Sequence, residues 1–129
     1  MKTVKLNSRY KSEMIDITEL VQEEVMKLGL REGLCTIFVP HTTASIVLFI
    51  KGDSKLRRDF LSSLNNIAPN DGEYESDDPN AAAHIKSTIC GPRIVVPVQN
   101  GRLFLGEWQG IFFCEFDGPR EREFHIQVI

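Results

Sequence analysis

The sequence is poor in the residues that staple or anchor a small protein. Its three cysteines, Cys35, Cys90 and Cys114, make an odd count with no C-x-x-C pair, which argues against a disulfide framework and a zinc knuckle. Each lies among apolar neighbours and reads as a small buried thiol. Long hydrophobic runs are also missing: the most apolar stretch, Ala44 to Ile50, is far too short to span a bilayer. The opening Met1-Lys2-Thr3-Val4-Lys5-Leu6 has no apolar leader core, so a cytoplasmic location and no membrane partner are expected. Charge of one sign is scarce too. A formal net charge of −3 gives no bulk attraction for phosphate polymers, so no nucleic-acid partner is expected. A Walker loop, G-x-G-x-x-G, G-x-S-x-G, H-E-x-x-H and an N-x-S/T sequon are all absent. The acidic loop around Gly72 fails as an EF-hand, because Ile67 falls where the first carboxylate ligand belongs.

What is present is a chain of globular balance, with 42% hydrophobic and 26% charged residues, and residues 1–129 are expected to form one domain. Alternation over residues 2–10, with Val4 and Leu6 opposite Lys5 and Asn7, predicts a first strand. Asp16 offers an N-cap with Glu19 three residues on, and Ile17, Val21, Val25 and Leu28 make one apolar helical stripe that stops at Gly29. Cys35 to Pro40 and Ala44 to Ile50 read as strands, the second buried on both faces. Asp53 or Ser54 caps a second helix in which Leu56, Phe60, Leu64 and Ile67 recur at helical spacing. Pro69 to Asn80, with five acidic residues around Tyr74, reads as a long loop, and Ala81 to Ile89 as a short helix ended by Gly91-Pro92. Strands over Arg93–Val98 and Arg102–Glu107 flank the hairpin signal Asn100-Gly101. Ile111–Phe116 and Glu123–Ile129 complete the set, with His125 on the outer face. The class is α+β, with antiparallel sheets packed against two main helices and one short helix.

Chemistry concentrates at few places. His41-Thr42-Thr43-Ala44 puts an imidazole beside two hydroxyls where a strand leaves its sheet. The alternative reading is that the hydroxyls cap the turn and His41 satisfies a backbone carbonyl. His84 and Lys86, the pair Arg57-Arg58, and the turn Asp117-Gly118-Pro119-Arg120 would suit an anionic small molecule if they converge, and are solvated charges if they do not. His41 and His84 with Asp53 or Asp77 have the ligand types for a divalent metal, although their spacing gives no support for one. Trp108 lines a pocket or belongs to the core.

Taken in order, these residues carry a pattern. His41-Thr42-Thr43-Ala44, Arg57-Arg58-Asp59, Asn70-Asp71-Gly72-x-Tyr74-Glu75, Asn80-Ala81-x-Ala83-His84-Ile85-Lys86, Gly91-Pro92, Gly101-Arg102, Gly106-x-Trp108-Gln109-Gly110-Ile111 and Phe116-Asp117-Gly118-Pro119-Arg120 together resemble the YjbQ-like family, known as the secondary thiamine-phosphate synthase family. The resemblance runs through nearly the whole chain. It implies a YjbQ-like fold, a homotrimer, and a site near the His-Thr-Thr and His-Ile-Lys segments. The implied activity joins a thiazole phosphate to a pyrimidine pyrophosphate with release of pyrophosphate. His41 and His84 would then be catalytic, Thr42, Thr43, Lys86, Arg120 and Trp108 would contact an anionic substrate, and Mg²⁺ or another divalent ion would assist, with His41, His84 and Asp77 as its candidate ligands. The chain departs from the family where Phe49-Ile50 replace Asn-Glu and where Ser76 replaces a histidine. A reduced site that binds a phosphorylated molecule, with weak turnover or none, is therefore expected.

Overall fold

Eight strands and three helices follow one another as β1 (Lys2–Asn7), β2 (Glu13–Asp16), α1 (Thr18–Leu28), β3 (Glu32–Phe38), β4 (Ala44–Ile50), α2 (Ser54–Ile67), α3 (Ala81–Cys90), β5 (Arg93–Gln99), β6 (Arg102–Leu103), β7 (Gln109–Glu115) and β8 (Glu121–Val128). They were obtained from a computed structural model that describes residues 1–129. The strands form a five-stranded sheet in the order β1-β8-β3-β5-β6 and a three-stranded sheet in the order β2-β7-β4. Every pairing is antiparallel, as an α+β class requires.

The layers follow from side-chain parity. Cys35, Ile37, Val96, Val98, Phe124 and Ile126 on the large sheet meet Ala44, Ile46, Ile111 and Phe113 on the small one, and Ile17, Val21 and Val25 of α1 complete this core. The other face of the small sheet presents Met14, Phe112 and Cys114, covered by Leu64 of α2 and Ala83 of α3. Strand β7 is therefore buried on both faces, and all its residues from Gly110 to Glu115 are buried. Aromatic pairs run through it: Phe113 lies 6.3 Å from Phe124 between ring centroids with the rings tilted, and Phe112 packs edge-on against Phe49.

Several expected features differ in extent. Strand β2 is not signalled by alternation and pairs along β7 through Met14–Cys114. Ile17 rather than Asp16 is the N-cap of α1, with no side chain capping that end; the Asp16 carboxylate accepts the Thr18 N–H at 3.0 Å, and Leu28 is exposed, so the buried stripe of α1 ends at Val25. Asp53 caps α2 through the Leu56 N–H at 2.9 Å, while Leu56 and Ile67 stay exposed. Strand β4 is buried on both faces only over Ala44–Ile46. Cys35 and Cys114 are buried thiols, and burial pushes Cys35 up to about 11, whereas Cys90 is half-buried. The turn at Asn100-Gly101 has φ of 54° and 76°, the left-handed pair that a two-residue hairpin demands. The strand after it is two residues long rather than six. Its ladder stops because Phe104 donates to the Pro97 carbonyl and Pro97 has no N–H to return.

Truncating the centre of this stack should show the layering directly. Phe113→Ala should lose about 3–5 kcal/mol in urea denaturation, whereas Ile67→Ala, on an exposed helix end, should stay within about 0.5 kcal/mol of the parent. Equal losses would contradict the assignment of the core.

Candidate functional site

The two inward-facing stripes that build the main core both end in a charge. On β7, Ile111 and Phe113 are followed at the same parity by Glu115; on β8, Ile126 and Phe124 are followed by Arg122. The pair meets between the sheets, with Glu115 fully buried and Arg122 4% exposed. Arg122 Nε donates to Oε2 at 2.8 Å and Nη2 to Oε1 at 2.6 Å, a bidentate arrangement. Nη2 also reaches the Thr43 hydroxyl at 2.7 Å, and the Asp117 N–H donates to Glu115 Oε1 at 2.9 Å. Burial on its own would raise the Glu115 carboxyl, but the hydrogen bonds from Arg122 and from the Asp117 amide outweigh it and hold the group below its ordinary value.

This clamp fixes the segment that carries His41. Thr43 is buried, and its hydroxyl is spent on Arg122, so it does not face a ligand as expected. The β3–β8 ladder ends at Phe38–His125. Further along β8, the free N–H and C=O of Glu123 both meet His41 Nε2 at 3.1 Å. The ring stands in for the missing strand residue, and its Nδ1 has no partner within the chain. Burial first, then the Arg122 charge, lowers the His41 pKa from 6.5 against the opposing Glu123 carbonyl and the Glu123 and Glu115 charges. The neutral ring, accepting the Glu123 N–H, is the favoured form.

His84 reaches the same place from α3. An open recess of about 410 Å³ is lined by His41, Thr42, His84, Ser87, Thr88 and Pro92. The His84 Nε2 lies 3.1 Å from Asp78 Oδ2, and the other Asp78 oxygen accepts the Asn80 N–H at 2.8 Å, so the carboxylate orients the ring. Ser87 donates to the Ala44 carbonyl at 2.6 Å and ties α3 to β4. Thr42 is exposed and its hydroxyl is unengaged. Two imidazoles and one hydroxyl are thus available to a ligand, a set suited to proton transfer and to hydrogen bonding of an oxyanion.

The other candidates lie elsewhere. Lys86 stands two residues from His84, close to the opposite face of α3, and donates to Asn65 and Asn70. Arg120 is folded back on Asp117 through its Nε and Nη2. Trp108, 64% exposed, is not core and is absent from the His41–His84 recess; it lines a separate open recess with Leu48, Phe49, Ile50 and Gln109. Phe49 and Ile50 lie at the far end of β4, about 20 Å from its His41 end at the usual strand rise, so they are not part of this recess. No three His, Cys, Asp or Glu side chains come together to hold a metal ion, so His41, His84 and Asp77 do not form a ligand set within one chain, and the carboxylate that meets His84 is Asp78. Glu115, Arg122 and Asp78 were missed by motif reading. A charged residue falling at interior parity in each of two strands was the signal for the first two.

A carboxyl held low in the folded state adds stability above its ordinary value of 4.5 that disappears as pH falls through the folded value. Glu115→Gln should therefore flatten the acid limb of a stability–pH curve, and Arg122→Met should cost about 3–5 kcal/mol by leaving a buried carboxylate alone. Parallel acid limbs for parent and Glu115→Gln would remove the clamp from the account.

Comparison with known proteins agrees with this architecture. Residues 2–129 match the family described as UPF0047 protein YjbQ-like. The chain is 41% identical over 132 residues to the UPF0047 protein YugU of Bacillus subtilis, covering 100% of this chain and 98% of that one. It is 36% identical over 126 residues to the UPF0047 protein MJ1081 of Methanocaldococcus jannaschii, covering 98% and 90%. An uncharacterised conserved protein of the same family from Clostridium acetobutylicum superposes with a TM-score of 0.97 at 38% identity over the whole of both chains. A protein of unknown function from Sulfolobus solfataricus superposes with a TM-score of 0.94 at 35% identity, covering 98% of this chain and 94% of that one. By the match over residues 2–129 and by these relatives, the chain belongs to the YjbQ-like UPF0047 family.

Proposed function

We propose that the His41–His84 recess binds a phosphorylated small molecule and that His84, backed by Asp78, moves a proton on it. The observation that carries this reading is the meeting of two imidazoles from different layers in one open recess, each with Nε2 engaged and Nδ1 free. A neutral imidazole N–H and the Thr42 hydroxyl donate to phosphate oxygens, and a carboxylate-oriented imidazole is a general acid–base group. The lining holds no lysine or arginine to offset the charge of a departing pyrophosphate. Formation of thiamine phosphate, the reaction implied by the resemblance, is accordingly a weak activity of this site, and binding outlasts turnover.

We also propose a homotrimer as the working form. The outer face of the large sheet leaves Leu34, Phe38 and Val95 each more than two-fifths exposed, beside Pro97, in adjoining register positions. Closed cyclic assembly covers such a face. Light scattering should return three times the chain mass at micromolar concentration, and a monomer mass would refute the assembly.

The recess reading has a pH signature. With no fixed cation in the lining, protonation of His41 supplies the positive charge an oxyanion seeks, so calorimetry with sulfate, whose own charge is constant over this range, should find tighter binding at about pH 5.5 than at about pH 7.5. The His41 share should enter below pH 6.5, because its folded value is lowered. His84→Ala, a half-exposed position, should fold normally and weaken binding at least tenfold. Affinity that ignores both pH and His84→Ala would place the ligand elsewhere.

A further inference from the structure

Trp108 is the single tryptophan of the chain and stands in solvent at the far end of β4. An indole so placed marks a contact surface when its neighbours are also unspent. Strand β4 is an edge of the small sheet. Its odd positions bond toward β7, since Thr43 accepts the Phe116 N–H and the Lys51 N–H donates to the Trp108 carbonyl. The even positions therefore point away from the sheet. The Ala44 carbonyl accepts from Ser87 and the Ile46 N–H donates to Gly91, whereas the backbone groups of Leu48 and Ile50 have no such partner. Both side chains are more than a third exposed, and they line one open recess with Trp108.

The two ends of β4 also differ in charge. Lys51, Lys55, Arg57 and Arg58 follow the Trp108 end and make no ion pair. Counting Asp53, Asp59 and Glu107 leaves that end positive, and the Asp53 carboxylate is committed to the cap of α2. At the His41 end the chain carries Asp71, Glu73, Glu75, Asp77 and Asp78, none of them paired with a lysine or arginine. An open recess of about 420 Å³ lies among them, with Tyr74, Glu75, Asp78, Ala81, His84 and Ile85 in its wall. Ile85 is 39% exposed there, an apolar floor under a rim of carboxylates.

We propose that Trp108 of one copy of this chain seats in the recess between Tyr74 and Ile85 of a second copy, with the carboxylates around that recess facing Lys51 and Lys55 of the first. The inference rests on the homotrimer reading and names its contact. Indole and recess stand at opposite ends of one strand, so they meet between copies, head to tail, and a heterologous contact of this kind forms a ring when its rotation closes. The outer face of the large sheet adds apolar area to such a ring but no direction. Direction comes from the indole, whose rings cover Ala81 and Ile85 while its N–H donates to a rim carboxylate, and from the opposed charges. Because His84 and Asp78 belong to the same wall, the neighbouring indole also covers one side of that imidazole–carboxylate pair. The His84 site is complete only in the assembly.

The experiment breaks the contact from each side in turn, using light scattering and the emission of the single tryptophan at micromolar concentration. Trp108→Ser and Ile85→Arg both change exposed positions, and circular dichroism like that of the parent is expected of each. Each variant alone should fall from the three-chain to the one-chain mass. In Ile85→Arg the emission of the untouched Trp108 should move to the red of the parent, because the recess that shields it belongs to another copy. An equal mixture of the two variants should give a two-chain mass, since one whole contact survives between an intact indole and an intact recess. Lys51→Glu should weaken association at least tenfold and provides the measurement if Ile85→Arg does not fold. Variants that stay three-chain, or a mixture that stays at the one-chain mass, would overturn this contact; the first result leaves the homotrimer standing. A one-chain mass for the parent would remove both.

Discussion

One buried ion pair sets the relation between the two sheets. Glu115 and Arg122 occupy interior positions where the apolar stripes of β7 and β8 would otherwise continue, and their bidentate contact crosses the gap that the core fills elsewhere. Such a pair is a weak source of net stability, because both ions lose their water. Its value lies in direction. A guanidinium and a carboxylate meet in few geometries, so the pair fixes which ends of the sheets adjoin, and Thr43 and the Asp117 amide are drawn in with it.

The candidate site grows from that seam. Residues 39–43 carry the chain from the large sheet to the small one, and the clamp holds their far end while Val39 donates to the Pro92 carbonyl at the near end. His41 is therefore presented by a crossing segment anchored on both sides. His84 arrives on a helix tied to the same crossing by Ser87 and Ala44. Neither histidine depends on loop flexibility for its position, which is the arrangement a preorganised polar site needs.

Much of this was legible in the sequence where local physics decides. Strand β4, the Asp53 cap of α2, the stop of α1 at Gly29 and the Asn100-Gly101 turn all follow from residues acting on their immediate neighbours. What was not legible depends on partners distant in the chain. Strand β2 has its place because β7 offers an edge, and β6 is short because Pro97, on another strand, cannot donate. For the candidate site, the His-Thr-Thr segment pointed to the crossing between the sheets, yet it did not reveal that Thr43 serves Arg122 or that Lys86 faces away from His84. Helical spacing alone carried the second point, and the grouping of charged residues by motif obscured it.

The imidazole that replaces a strand residue beside Glu123 has a bearing on how the family can drift. His84 is held by one side chain and holds none of the sheet, so its replacement alters chemistry alone. His41 closes a ladder as well as facing the recess, and a substitution that erases its chemistry also strands a backbone amide, at about 1–3 kcal/mol. A lineage that abandoned the chemistry would thus shed His84 freely while still retaining His41, and a histidine at this position in another protein of the same fold would on its own be a poor sign of shared function.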